Sequence, residues 1–168
     1  MTPAIVSLRD LQSIRPGARR RRARAGFTVI EILAVTAIIG ALATLAIPKV
    51  HDVLEKAKVA RAIGDIRAIQ SDLDGQDSLP ATLAGVGRSA TTDPWGHPYR
   101  YLRFPPRQGG GAPRGARRDR FLVPINTTYD LYSMGKDGNT SVALTAHGSR
   151  DDVVRANDGG YIGLAAQF

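Results

Sequence analysis

The distribution of apolar residues divides the chain at Pro48. From Phe27 to Ile47, 21 consecutive residues carry a single charge, that of Glu31. As an α-helix this segment would be about 31 Å long, which matches the hydrocarbon thickness of a bilayer. A run of this length could also be the buried core helix of a soluble protein. Because the segment is apolar on every face, the pattern favours a membrane-spanning helix.

Beyond Pro48 the apolar residues recur at intervals of three and four, which is typical of one face of an amphipathic helix. The members of this face are Val50, Val53, Leu54, Ala57, Ala60, Ile63, Ile66, Ile69 and Leu73. We therefore predict one helix from Phe27 to Leu73, half in lipid and half amphipathic. Proline lacks a backbone N–H, so a kink or local melting is expected at Pro48.

The remaining pattern predicts a small antiparallel β-sheet, and hence an α+β head. Gly75 should end the long helix, and a short helix could begin near Ser78. Alternating and aromatic runs predict short strands near Tyr99–Phe104, Phe121–Val123 and Tyr129–Ser133. Residues 105–120 are rich in Pro, Gly and Arg and are predicted to form an exposed loop, as is the segment from Met134 to the C-terminus.

Charge separates a basic N-terminal leader from a nearly neutral remainder. Residues 1–26 hold seven arginines and one acidic residue, and so supply six of the eight net positive charges of the chain. Because cytoplasmic flanks of membrane spans are enriched in arginine and lysine, the N-terminus is predicted to be cytoplasmic and residues 49–168 to lie across the membrane. The basic leader is thus explained by membrane topology.

Composition excludes several other classes of function. The absence of cysteine excludes disulfides and zinc–thiolate sites. The three histidines are scattered with no ligand spacing, and no nucleophile–base pair or phosphate loop appears, so we do not expect an enzyme. A second group of arginines, between positions 103 and 120, is interrupted by proline and glycine and lacks interleaved aromatic residues. We interpret it as a solvated loop and do not expect nucleic-acid binding.

Glu31 is unusual because a carboxylate within a membrane span is costly, by about 2.5–3.5 kcal/mol at the centre and less near the interface. One interpretation is a capping box, with Thr28 as the N-cap and Glu31 three residues later. A second is that Glu31 pairs with a cation, since charged residues within membrane spans usually have a partner. An α-amino group would be available if the chain were cut before Phe27.

The segment from Gly26 to Pro48 (GFTVIEILAVTAIIGALATLAIP) resembles the N-terminal signal of type IV pilins and pseudopilins. The resemblance implies cleavage between Gly26 and Phe27 by a prepilin peptidase, followed by N-methylation of Phe27. It also implies that Glu31, at the fifth mature position, pairs with the Phe27 amino group of a neighbouring subunit in a filament. Pro48 matches the helix-breaking proline of the family.

Two C-terminal motifs, DPWGHPYRY from Asp93 and DLYSMGKDG from Asp130, resemble the major pseudopilins of the type II secretion system. Members of that family hold structural calcium in an acidic C-terminal loop. Hard oxygen ligands in residues 134–160 suit calcium, although the residues alone favour a merely solvated acidic loop. The resemblance implies these calcium ligands: Asp137, Asp151, Asp152 and, less directly, Asn139 and the Met134 carbonyl.

This resemblance implies three parts: a cleaved leader (1–26), a transmembrane and filament-core helix (27–48) and a periplasmic head (49–168). It implies a bacterial inner-membrane protein that polymerises into a short periplasmic filament for protein secretion. Expected partners are other copies of the chain, minor pseudopilins, the prepilin peptidase, the inner-membrane secretion platform and membrane lipid. The alternatives are a type IV pilin for adhesion, motility or DNA uptake, and a single-span membrane protein with a ligand-binding head.

Overall fold

The computed structural model describes residues 26–105 and 113–168. Apart from Gly26, the predicted leader lies outside these residues, and so does the part of the arginine-rich loop at 106–112. The chain divides into two compact units, Met1–Thr44 and Leu45–Phe168.

Helix α1 (Val29–Asp74) confirms the predicted long helix to within two residues at each end. The helix continues through Pro48, so the predicted local melting is wrong. The physical reason is that proline removes one intrahelical hydrogen bond, while the bonds on either side of it can still form. Within α1 an 18-residue window has a mean hydropathy of 2.3 and no buried residue. This helix is long and apolar enough to cross a membrane.

The second unit contains a four-stranded antiparallel sheet with strand order β1-β2-β3-β4. The strands are β1 (Arg100–Arg103), β2 (Tyr129–Ser133), β3 (Val153–Ala156) and β4 (Tyr161–Leu164). The two strands predicted near Tyr99–Phe104 and at Tyr129–Ser133 are confirmed, and with α1 they confirm the α+β fold class.

The sheet buries apolar side chains on both faces, because successive residues of a strand point in opposite directions. On one face, Tyr129, Leu131 and Val153 pack in a cluster with four buried residues of α1, which are Ala62, Ile66, Ile69 and Leu73. On the other face a smaller cluster forms without α1, from Ile125, Leu144, Val154, Ala156 and Ala165. The sheet is therefore the middle layer of the head.

The amphipathic face of α1 is buried only in its C-terminal part. Of the predicted face, Ile66, Ile69 and Leu73 are completely buried. By contrast, the side chains of Val50, Val53 and Leu54 remain 53–64% exposed. The first turns of this face therefore leave an apolar surface on the isolated subunit.

Three predictions about other segments of the head are also wrong. The helix expected near Ser78 is a single 3-10 turn at Leu83–Val86. Phe121–Val123 is not a strand, and the Phe121 side chain is 90% exposed. The segment after Met134, predicted as loop, contains both β3 and β4. These strands have four residues each. β3 is buried along its whole length and includes Arg155, so its sequence shows no alternation of apolar and polar residues.

The turn between β3 and β4 places two consecutive non-glycine residues in the left-handed region, Asn157 at φ 50° and Asp158 at φ 52°. Asparagine and aspartate tolerate this conformation better than other side chains. The Asp158 carboxylate accepts hydrogen bonds from the Thr127 amide (2.8 Å) and the Thr127 hydroxyl (2.6 Å). Burial opposes ionisation of Asp158, but these donors hold its pKa below the ordinary value.

Candidate functional sites

The first candidate site is the N-terminal turn of α1. Glu31 and Thr28 form a reciprocal capping box: the Glu31 amide donates to the Thr28 hydroxyl (3.2 Å), and the Thr28 amide donates to the Glu31 carboxylate (3.5 Å). Gly26 and Phe27 precede the helix and are exposed. The capping interpretation of Glu31 is therefore confirmed. Because a capping carboxylate can accept further hydrogen bonds, the box is compatible with an additional partner.

The second candidate site lies where the two C-terminal motifs meet. Asp93, buried in the first motif, accepts hydrogen bonds from the amides of Trp95 (3.1 Å) and His97 (2.8 Å) and from the Ser133 hydroxyl. The His97 ring donates from Nδ1 to the Gly135 carbonyl at 3.1 Å. Asp93 therefore fixes a tight turn against the start of the acidic loop.

The acidic loop folds back on itself through its carboxylates. The Asp137 amide donates to Asp151 Oδ2 (3.1 Å), and the Asn139 amide donates to Asp137 Oδ1 (2.8 Å). At Gly135, where φ is +65°, a Cβ atom would collide with the Asp151 backbone carbonyl and lie 2.7 Å from its Oδ2. Three of the predicted ligands, Asp137, Asn139 and Asp151, therefore belong to one group of hydrogen-bonded residues.

Asp152 is directed elsewhere, to Arg117. Its Oδ2 accepts hydrogen bonds from the Arg117 guanidinium and from the Thr140 hydroxyl (2.6 Å). The side chain of Asp152 is completely buried, and that of Arg117 is 2% exposed. Burial raises the pKa of the Asp152 carboxyl, while the hydrogen bonds from Thr140 and Arg117 act in the opposite direction. Asp152 Oδ1 is buried without a hydrogen-bond partner.

The prediction that the second arginine group is solvated is wrong for Arg117, which is buried. Its guanidinium carbon lies 4.1 Å from the centroid of the Tyr132 ring, and its amide donates to Asp130 Oδ2 (2.6 Å). A guanidinium can be buried when an aromatic face and a carboxylate replace its water. Nothing in the Pro- and Gly-rich sequence distinguishes Arg117 from the exposed Arg114 and Arg118, so sequence reasoning missed it.

Arg155 occupies a comparable position on the opposite, α1-facing side of the sheet. Its side chain is 3% exposed, and its guanidinium carbon lies 4.0 Å from the centroid of the Tyr129 ring. It donates to the Tyr129 carbonyl (3.1 Å) and the Asn126 side chain (3.3 Å). Its nearest carboxylate, Asp158, is 3.7 Å away. Arg155 therefore resembles Arg117 in burial and stacking, but its hydrogen bonds and ion pair involve none of Asp137, Asp151 and Asp152.

In residues 26–105 and 113–168, no group of three Asp, Glu, His or Cys side chains is close enough to bind a metal ion. Among the predicted ligands, the structure links Asp137, Asn139 and Asp151, through hydrogen bonds from backbone amides to the two carboxylates. Asp152 follows Asp151 in sequence, but one of its two oxygens is occupied by Arg117 and Thr140.

Several curated proteins similar to this chain share one description. The type II secretion system core protein G of Pseudomonas aeruginosa is 33% identical, over 71% of this chain and 88% of that protein. Core protein G of Dickeya chrysanthemi is 34% identical over 71% of this chain and 80% of its own. That of Aeromonas hydrophila is 30% identical over 80% and 93%.

A shorter similarity links the chain to a fimbrial protein of Pseudomonas aeruginosa, which is 42% identical over 50 residues, or 30% of this chain. No protein-family model matches the chain. No solved structure matches it.

An apolar helix long enough to span a membrane, followed by an α+β head with a four-stranded antiparallel sheet, defines a pilin-like, membrane-anchored subunit. The extended similarity to three core proteins G is more specific than this fold class. The chain belongs to the family of type II secretion system core protein G, the major pseudopilins, and its function is that of a pseudopilin subunit.

Proposed function

We propose that the chain is made as a precursor, cleaved between Gly26 and Phe27, N-methylated at Phe27 and assembled into a short periplasmic filament for type II protein secretion. In this proposal α1 anchors the subunit in the inner membrane, with the N-terminus cytoplasmic and the head periplasmic. The basic residues before the apolar span support this orientation. The role is structural, and energy for assembly would come from a separate cytoplasmic ATPase.

The observation that carries the proposal is the position of Glu31, in the first turn of a helix whose span is otherwise without charge. Within a filament core of low dielectric, a carboxylate and an amino group from a neighbouring subunit would attract each other strongly. Removing one partner from such a buried pair costs about 3–5 kcal/mol. This cost would favour a single register of the incoming subunit.

The matched substitutions Glu31→Gln and Glu31→Val separate assembly from capping. Glutamine at this position can still form the capping box, whereas valine cannot, and both remove the charge. We expect both variants to insert in the membrane, and neither to assemble filaments or support secretion, measured by filament shearing and by enzyme activity in the medium. If Glu31→Gln assembles and secretes like the wild type, capping is sufficient and the proposed pairing is wrong.

The similarity to a fimbrial protein leaves a type IV pilin as the alternative within filament biology. That similarity covers 30% of the chain, whereas the similarity to core protein G covers 71–80%. A disulfide-closed head, frequent in pilins, is impossible here because the chain has no cysteine. These observations favour secretion over adhesion, motility or DNA uptake.

We also propose that calcium stabilises the acidic loop, with Asp137 and Asp151 as the main ligands. Two features support the fit of a hard cation: the close approach of Gly135 to Asp151, which brings backbone and side-chain oxygens together, and the unpartnered buried oxygen of Asp152. Calcium takes six to eight oxygens, including backbone carbonyls and water. The Asn139 side chain and the Met134 carbonyl are further candidates. Calcium would supply positive charge between carboxylates that otherwise repel each other.

In the cell, the proposed partners are other copies of the chain, minor pseudopilins, the prepilin peptidase and the inner-membrane secretion platform. Membrane lipid would surround the apolar part of α1 before assembly. Nucleic acid is not a proposed partner.

A further inference from the structure

The acidic loop is tied to a distant segment of the chain by a buried cation. Arg117 lies 35 positions before Asp152 in sequence, in a segment that the sequence presents as exposed. Its guanidinium contacts Asp152 Oδ2 and the Thr140 hydroxyl, which itself donates to Asp152 Oδ2 at 2.6 Å. The three side chains form a closed triangle next to Asp151.

The backbone holds Arg117 in this position from several directions. Its amide donates to Asp130 Oδ2 (2.6 Å), and its carbonyl accepts a hydrogen bond from the Ile125 amide (3.0 Å). The next residue, Arg118, exchanges backbone hydrogen bonds with Val142 (3.0 Å) and Leu144 (2.9 Å) on the far side of the loop. The guanidinium is therefore a fixed part of the head.

A permanent cation beside Asp152 acts on that carboxylate in the same direction as a bound metal ion. It neutralises a charge that is otherwise expensive to bury. It also repels any second cation that binds close by. Arg117 therefore supports the loop when no metal is bound and weakens the attraction of the loop for calcium.

We propose that Arg117 is a built-in counter-ion of the acidic loop, which neutralises Asp152 through Oδ2 and thereby lowers the dependence of the loop on calcium. Arg117 is thus a positioning residue that sets the calcium dependence of the head. This inference rests on the proposed calcium site, and the experiment is chosen to distinguish failure of one from failure of the other.

The test compares Arg117→Met with Arg155→Met in the full-length chain in detergent micelles. Both substitutions remove a buried guanidinium stacked on a tyrosine of β2, but only Arg117 contacts Asp152. Melting is followed by the fluorescence of Trp95, the single tryptophan, whose indole N–H donates to Glu55 (3.0 Å). Calcium affinity is measured by titration against the same signal.

For Arg117→Met in chelator we expect a melting temperature lower than that of the wild type by about 10 °C. Millimolar calcium should restore at least half of this loss, and calcium should bind at least about tenfold more tightly than to the wild type. Arg155→Met should lower the melting temperature by an amount that is equal in calcium and in chelator. Its calcium affinity should equal that of the wild type. Arg117→Lys keeps the charge but not the stacking of the guanidinium on Tyr132, so it should keep the calcium affinity of the wild type.

The double variant Arg117→Met/Asp152→Asn tests whether the effect acts through Asp152. It removes both charges, so it should melt above Arg117→Met in chelator and show no gain in calcium affinity over the wild type. If Arg117→Met fails to fold while the double variant folds, the unpaired carboxylate is the cause, as proposed. If both fail to fold, or if both gain affinity equally, the inference is wrong.

The remaining outcomes separate the inference from the proposed calcium site. If calcium stabilises Arg117→Met but not the wild type, Arg117 acts as proposed and the wild-type calcium site is wrong. If calcium stabilises the wild type, and Arg117→Met and Arg155→Met respond to calcium like the wild type, the calcium site stands and the inference about Arg117 is overturned.

Discussion

Two leucines of α1 should separate folding of the head from assembly of the filament. Leu73 is completely buried against the sheet, whereas Leu54, five turns earlier on the same helix, is 53% exposed. Alanine at either position preserves helix propensity, since alanine is the best helix former. The two substitutions therefore remove the same side-chain atoms from two different environments.

We expect Leu73→Ala to destabilise the head and Leu54→Ala to leave it unchanged. A buried Leu→Ala substitution costs about 2–5 kcal/mol, because it loses apolar burial and leaves a cavity. At roughly 3 °C per kcal/mol for a protein of this size, the melting temperature should fall by about 6–15 °C. Leu54→Ala should shift it by less than about 2 °C.

For filament assembly we expect the reverse, with Leu54→Ala having the larger effect. Val50, Val53 and Leu54 leave an apolar surface on the isolated subunit, and burial of one such leucine against a neighbour would contribute about 1.5–3 kcal/mol at each contact. Leu54→Ala should therefore reduce the yield of sheared filaments several-fold at normal protein levels. Melting is followed by Trp95 fluorescence of the full chain in micelles. A Leu54→Ala variant that assembles like the wild type, or melts like Leu73→Ala, would refute the reasoning.

Two further predictions concern the loop and the β3–β4 turn. Calcium at a hundredfold excess over its dissociation constant should stabilise the wild-type chain by about 2.7 kcal/mol relative to chelator. Asp137→Ala should remove most of this gain. A wild-type melting temperature that calcium leaves unchanged would argue for a merely solvated loop. The depressed pKa of Asp158 implies stabilisation that is present above the ordinary carboxyl pKa of about 3.9 and lost as pH falls through the folded value. Asp158→Asn should therefore melt lower at neutral pH and lose less stability between neutral and acid pH, and parallel pH profiles for the two proteins would contradict this.

The long helix was predictable because its determinants are local. A 21-residue segment with a single charge and an amphipathic continuation specify α1 without reference to any other part of the chain. The depth at which each turn is buried was not predictable from periodicity, because Leu54 and Leu73 are both apolar positions of the pattern, whereas only Leu73 is buried against the sheet.

The candidate site was predictable in part. Asp137, Asn139 and Asp151 are close in sequence or belong to recognisable motifs, and the structure places them in one hydrogen-bonded group. The partner of Asp152 was not predictable, because the contact with Arg117 depends on how a Pro- and Gly-rich segment folds over the sheet. Local composition predicts exposure for such a segment, whereas tertiary packing against Tyr132 decides its burial.

The central claim, that this chain is a processed pseudopilin subunit, is tested most directly by the intact mass of the protein recovered from membranes of a host that contains the prepilin peptidase. The account predicts a chain that begins at Phe27 and carries one additional methyl group on its amino terminus. A mass that retains residues 1–26 would contradict it, because Glu31 would then lack the free amino group of a neighbour with which it is proposed to pair.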